Sequence, residues 1–175
     1  MLYKTIKPAH IKDNAVELIA NEWTLITAGD AEKYNTMTAS WGMLGHMWSR
    51  DAVSVVVRPQ RYTKEFLDKK GHFTLCFFGK GEDAKAIHKI CGSKSGREVD
   101  KTALTGLQPV YDEAHDTVYF EGARLVLVCK KLYAAPFDPD CFADTQCRDE
   151  IYPNKDYHTQ YFGKIVEAME LCEEK

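Results

Sequence analysis

The run Arg58-Pro59-Gln60-Arg61-Tyr62-Thr63 places two guanidiniums and a hydroxyl where a valine-rich stretch gives way to residues at helical spacing. Val53, Val55 and Val57 alternate as in a strand, and from Tyr62 to Lys70 the pairs Tyr62/Phe66 and Glu65/Lys69 stand four apart as on a helix. A strand-to-helix corner suits an anion, because free N–H groups, the positive end of the helix dipole and an arginine fork converge there. Charge-assisted hydrogen bonds are worth roughly 1.5 to 3 kcal/mol each and the helix terminus about 0.3 to 1, so two or three contacts would dominate binding of a phosphorylated ligand. The plainer alternative is that Pro59 only turns the chain and both arginines are solvated.

Three further segments carry usable groups. In Asn35-Thr36-Met37-Thr38-Ala39-Ser40-Trp41-Gly42 the hydroxyls of Thr36, Thr38 and Ser40 alternate with Met37, Ala39 and Trp41, which is strand periodicity. Small residues there let a flat ligand approach the backbone while hydroxyls meet its polar edge; a strand with hydroxyls facing solvent explains the same pattern. The stretch from Cys91 to Lys101, CGSKSGREVDK, could form a backbone nest for an anion, with Ser95 and Lys101 at hand. His158, in Asp156-Tyr157-His158, precedes a strand, where a single histidine serves structure more often than catalysis. His46, His72 and His88 are scattered, and no Ser/His/Asp or Cys/His set assembles, so hydrolase chemistry has no support.

The elements that must position these groups are mostly strands. Ile11, Ala15, Leu18 and Ile19 recur at helical spacing and predict an opening amphipathic helix. Strands are expected over Trp23 to Ala28, along Phe73, Leu75 and Phe77, over Ala123 to Lys130 and over Tyr161 to Val166. A second helix is expected from Glu82 to Cys91, with Ala84, Ile87 and Cys91 on one face and a stop at Gly92. Val53 to Phe78 read alone could be a parallel βαβ unit, but the remaining strands lack helices for parallel crossovers, so the fold class is mainly β, an antiparallel barrel with peripheral helices. Ala134 to Tyr157 lacks periodicity and reads as a long loop, either covering a site or simply running over the surface.

Composition sets the outer limits. With 175 residues, 45% of them apolar, and no repeat or linker, one packed domain over 1–175 is expected. A net charge of −3 gives no footprint for nucleic acid. The amino terminus lacks an uninterrupted apolar stretch, and no later run reaches the ~20 residues a membrane helix needs, so no membrane partner and a cytoplasmic location are expected. The six cysteines show no C-x-x-C pair; reduced, mostly buried thiols and no metal site are the expectation.

Taken together and in order, Trp23 to Asp30, NTMTASWG from Asn35, RPQRYT from Arg58, the FTLCFF strand, CGSKSGREVDK, the strand with Cys129 and DYHTQYFGKI from Asp156 resemble the flavin reductase and flavoredoxin family. The resemblance implies a split β-barrel binding FMN, with the isoalloxazine ring along Thr36, Met37, Thr38, Ala39, Ser40 and Trp41. It puts the phosphate near Arg58, Arg61, Tyr62 and Thr63, with Ser95 and Lys101 assisting. NAD(P)H or a redox partner protein would supply or take electrons, and His158 is the candidate catalytic group beside the ring. Members are generally two-fold dimers, and Met43, Met47 and Trp48 are candidate interface residues, core positions being the alternative. Ala134 to Lys155 is the least family-like part.

Overall fold

A computed structural model describes residues 2–172. Ten strands dominate: β1 Tyr3–Ile6, β2 Thr24–Gly29, β3 Tyr34–Ala39, β4 Gly42–Met47, β5 Arg50–Val57, β6 His72–Phe77, β7 Pro109–Asp112, β8 Thr117–Phe120, β9 Leu125–Pro136 and β10 Thr159–Leu171. Five short helices lie between them: α1 Ala15–Glu17, continued by a wider turn Leu18–Glu22, α2 Thr63–Lys69, α3 Glu82–Ser93, α4 Lys101–Thr105 and α5 Thr145–Ile151.

The main sheet runs β3-β2-β6-β9-β10-β5-β4, with β1 on the far half of β10, and every pairing is antiparallel. The βαβ alternative fails because β9 and β10 stand between β5 and β6. The edge strands β3 and β4 are separated in sequence only by Ser40 and Trp41, so the sheet must curl until its two ends come together. They do not pair with each other, and the barrel stays split along that seam.

Burial follows from this curl. Leu125, Leu127 and Cys129 face one core with Phe73, Leu75 and Phe77, whereas Val126 and Val128 face a second core with Leu25, Cys76 and Phe120. A strand buried on both faces needs an unbroken apolar run, which is why 125–129 reads LVLVC. β10 serves three neighbours by shifting register at Phe162/Gly163 and again at Ile165/Glu167. At Gly163 a Cβ would lie 2.6 Å from Phe73 Cζ, so the bend depends on glycine there.

Several boundaries differ from those the sequence predicts. The opening helix is shorter, capped by the Asn14 side chain, which accepts from the Val16 and Glu17 N–H groups at 2.9 and 3.2 Å. α3 runs through Gly92 to Ser93; Ala84, His88 and Cys91 are buried, and Ile87 packs partly buried against the second core. Residues 134–157 are not one loop: β9 extends to Pro136, and α5 follows, capped by Asp144 accepting from Cys147 N–H at 3.0 Å. Glu65 pairs with Arg97 instead of Lys69, while the Tyr62–Phe66 contact forms edge-to-face at 5.1 Å. Cys76, Cys91 and Cys129 are buried, but Cys141, Cys147 and Cys172 are exposed, so only half the thiols are interior. No helix among the described residues is long and apolar enough to cross a membrane.

Candidate functional site

The seam between β3 and β4 opens into a cleft of about 250 Å³ lined by Met37, Thr38, Ala39, Ser40, Trp41, Val56, Arg58, Arg61 and His158. Residues from three of the four sequence segments thus meet, because β3 forms one wall, the end of β5 another and the start of β10 a third, while none of Cys91 to Lys101 lines the cleft. The β3 hydroxyls are mostly spent within the protein. Thr36 Oγ1 accepts from Thr27 Oγ1 at 2.9 Å and donates to Ile26 O at 3.3 Å, and Thr38 donates to His88 O at 2.8 Å. Ser40 alone of the three hydroxyls keeps no protein partner among the described residues, so the wall offers a ligand its backbone, small side chains and one hydroxyl.

Two cations here lack a carboxylate: half-buried Arg61, which lines the cleft, and buried Lys101, which lines a neighbouring cavity with Asn35, Thr36 and Asp100. Lys101 is 6% exposed and donates to Thr36 O at 2.7 Å and Cys91 O at 3.0 Å; Arg61 donates to the same Cys91 oxygen at 3.2 Å. Lys101 is aimed inward because Asp100 caps α4, accepting from Thr102 and Ala103 N–H, and so fixes Lys101 in the first helical position. Burial, with the Arg61 charge adding to it, pushes the Lys101 ammonium down to about 8, and burial lowers Arg61 as well. Neither has an ion-pair partner among the described residues. A buried cation with no anion is costly, and two sharing one carbonyl more so; an anion between them would relieve both.

Thr63 and Tyr62 support this corner without opening onto the cleft. Thr63 is fully buried, and its hydroxyl accepts from Asn35 Nδ2 at 2.7 Å. The Tyr62 ring carries the Arg97 guanidinium 4.5 Å above its centre. Ser95 closes its own turn, its hydroxyl accepting from Arg97 N–H at 3.2 Å and its carbonyl from Glu98 and Val99 N–H. At the neighbouring Gly96 a Cβ would fall 1.9 Å from Asn35 Oδ1, so this turn presses directly on the Asn35–Thr63 pair. The donors at the start of α2 are partly taken, since Lys64 and Glu65 N–H bond to Arg61 O and Tyr62 O. The cations at this corner without an ion-pair partner among the described residues are the Arg61 and Lys101 side chains.

Arg58 is occupied differently from the sequence expectation. It pairs with Asp156, donates to Ile151 O at 3.0 Å and lies 5.4 Å from the Tyr152 ring centre, while Gln60 donates to the same Asp156 carboxylate at 3.0 Å. Arg58 holds Asp156 well below the usual carboxylate range. It lines the cleft, yet its charge is balanced by Asp156, and its contacts tie Ile151 and Asp156 to the end of β5. His158, 7% exposed, sits between Trp41, with ring centres 5.3 Å apart, and Tyr152, whose hydroxyl is 2.8 Å from Nδ1. Burial first, then Arg58, pushes the imidazole down to about 4 against the opposing pull of Asp156, so it is neutral near pH 7.

A family model described as flavin reductase like domain matches residues 16–175. The chain belongs to the flavin reductase-like domain family. Solved structures share the fold at low identity. Flavoredoxin of Desulfovibrio vulgaris (Miyazaki F) aligns with a TM-score of 0.65 and 21% identity over 86% of this chain and 69% of its own. An FMN-binding domain of flavin reductases-like enzyme from Shewanella baltica gives 0.66 and 17% over 97% and 77%, and a Streptomyces globisporus NADH:FAD oxidoreductase 0.62 and 16% over 86% and 75%. No curated protein matches significantly.

Within this flavin reductase-like chain, sequence reasoning missed Val56 at the cleft, Tyr152 against His158, the pairing of Asp156 with Arg58 and Gln60, and Arg97 on the Tyr62 ring. Tyr152 and Asp156 fall in a segment with no periodicity, and their partners Arg58 and Gln60 lie more than ninety residues away in sequence. It also missed that Asp112, His115 and Glu167 come within 4.8 Å of one another on β7, its turn and β10. Those groups already have partners, His115 Nδ1 on Asp112 at 2.7 Å and Glu167 accepting from Thr5 at 3.2 Å, and none of them lines the cleft.

Proposed function

We propose that the cleft holds FMN non-covalently and that the protein is a flavin-dependent oxidoreductase of flavin reductase type, moving electrons from NAD(P)H to an acceptor. The observation that carries this reading is the couple of half-buried Arg61 and buried Lys101, sharing the Cys91 oxygen without an ion-pair partner among the described residues, next to a cleft walled by β3. A phosphate there would meet two cations, Lys101 largely stripped of water and Arg61 partly so, and the flat part of the ligand would lie along Met37 to Trp41 within reach of Ser40. Thr63, Tyr62 and Ser95 brace the phosphate corner through Asn35, Arg97 and the Gly96 turn. Arg58 and Asp156 hold the covering segment, excluding water from one side of the cleft. His158 lines the other end as a neutral imidazole.

When bound, the flavin supplies the two-electron chemistry, accepting hydride from NAD(P)H and passing electrons on; the protein contributes binding, orientation and electrostatics. The spectrum of the untreated purified protein tests the first half, since bound flavin is yellow. Anaerobic stopped-flow mixing with NADH and NADPH tests the second, with fast bleaching expected. A bound flavin that NADH and NADPH bleach only slowly would favour a flavoredoxin-type carrier, to which the Desulfovibrio vulgaris likeness lends support. A colourless protein that binds no added FMN overturns both.

A second copy of the chain fits the same reading. Met43 and Trp48 are 69% and 54% exposed on β4 and its turn, which excludes the core alternative, and Trp48 stacks edge-on with Phe162 at 5.6 Å to extend an apolar face. A two-fold dimer through that face is expected, and sedimentation of wild type beside Met43→Lys checks it.

A further inference from the structure

An imidazole can present a donor or an acceptor to a ligand, and which it presents depends on the group bound to its other nitrogen. At His158 that group is Tyr152, whose hydroxyl lies 2.8 Å from Nδ1 with both residues buried. The His158 backbone N–H also acts on the Tyr152 oxygen, drawing its pKa down while burial pushes it up. With an N–H directed at its lone pairs, the phenol has its own proton left for Nδ1. A phenol is also a better donor than acceptor toward a neutral imidazole.

Tyr152 cannot easily turn away. It ends α5, its N–H bonding to Arg148 O at 2.9 Å, and its ring is packed by Tyr157 at 4.9 Å, Phe142 at 5.9 Å and the Arg58 guanidinium at 5.4 Å. Trp41 bounds the histidine on the cleft side. His158 Nε2 has no protein partner among the described residues. The charged groups acting on the ring are Arg58 from the end of β5 and Asp156 from the covering segment, and they pair with each other.

We propose that Tyr152 is a positioning residue: its hydroxyl donates to His158 Nδ1 and fixes the Nε2–H form, so the imidazole offers a permanent hydrogen-bond donor, not a base, to a carbonyl oxygen or imine-type nitrogen in the cleft. That the acceptor belongs to a flavin or nicotinamide rests on the function proposed above; the form of the ring does not. Burial keeps the ring neutral through the physiological range, which suits a fixed donor and makes a proton shuttle ineffective.

Long-range proton–nitrogen NMR on the histidine-labelled, tag-free full chain reads the form of the ring directly. Wild type should show His158 as Nε2–H and untitrating around neutrality; Tyr152→Phe should show a mixture of forms and a midpoint moved upward, because a donor to the neutral ring has been lost. FMN affinity in Tyr152→Phe should stay within about threefold of wild type, while NADH-driven bleaching slows. His158→Gln, which keeps an N–H, should retain more of that rate than His158→Leu. An Nδ1–H or protonated His158 in wild type, or unchanged ring signals in Tyr152→Phe, overturns the proposal. Failure of wild type to bind FMN while its ring is Nε2–H would instead sink the functional reading alone.

Discussion

Arg61 and Lys101 converge on one backbone oxygen, the carbonyl of Cys91, at 3.2 and 3.0 Å. That oxygen lies in the last turns of α3, where carbonyls are short of partners and the helix dipole is negative, so it partly compensates two cations that lack a carboxylate. The compensation is incomplete, as the lowered pKa values of both groups attest.

Arg61→Ala should therefore weaken FMN by roughly 1.5 to 3 kcal/mol, about ten- to a hundredfold, while changing riboflavin affinity much less. Titration calorimetry with both ligands measures the difference. Equal losses would place the phosphate elsewhere.

Arg58 gives the contrasting case. Because Asp156 and Ile151 O already satisfy it, Arg58→Ala should cost FMN less than Arg61→Ala does, and should instead free the segment ending at Asp156. Limited proteolysis should show faster cleavage between Phe137 and Tyr157 in Arg58→Ala than in Arg61→Ala. If Arg58→Ala loses as much phosphate-dependent affinity as Arg61→Ala, the latch role is wrong.

How far these roles could be read in advance depended on whether burial left a pattern. The two-sided runs at 73–78, apolar except for Thr74, and at 125–129, apolar throughout, announce themselves as strands. β4 does not: none of its residues is fully buried, only Leu44 packs against the core, and the strand exists because β5 pairs with it from Gly42↔Val55 to Met47↔Arg50. α5 buries none of its residues, so no apolar face marks it. The arginine corner was visible because its groups are adjacent in sequence. The partition of labour between Arg58 and Arg61 was not, since it is decided by Asp156 and by the end of α3, both remote along the chain.

Gly163 tests the barrel itself. A methyl group there would meet Phe73 Cζ at 2.6 Å and Cys129 Cβ at 3.0 Å, both fully buried, so relief requires moving the core. Gly163→Ala should destabilise by about 1 to 3 kcal/mol, read as a lower urea midpoint at unchanged slope. Gly45→Ala, with no atom within 4 Å of the new methyl, should be close to neutral in the same assay.

The last prediction joins charge to binding and to folding through Lys101. Its ammonium titrates at about 8 in the ligand-free protein, mainly because it is buried, and a phosphate beside it would raise that value. FMN binding above pH 8 must then carry a proton in with it. Affinity should be flat below about pH 7 and fall by up to about tenfold per unit above 8, riboflavin showing no such slope. Folding runs the opposite way. The unfolded chain holds the Lys101 proton up to 10.5, so between about 8 and 10.5 it binds more protons than the folded state, and ligand-free stability from this group rises with pH. The cost of the buried charge is fully present below that window and is relieved across it. Lys101→Met should abolish both slopes, in calorimetry and in urea unfolding at matched pH values. Wild-type FMN affinity that is level across pH 8 would mean that Lys101 does not face the phosphate.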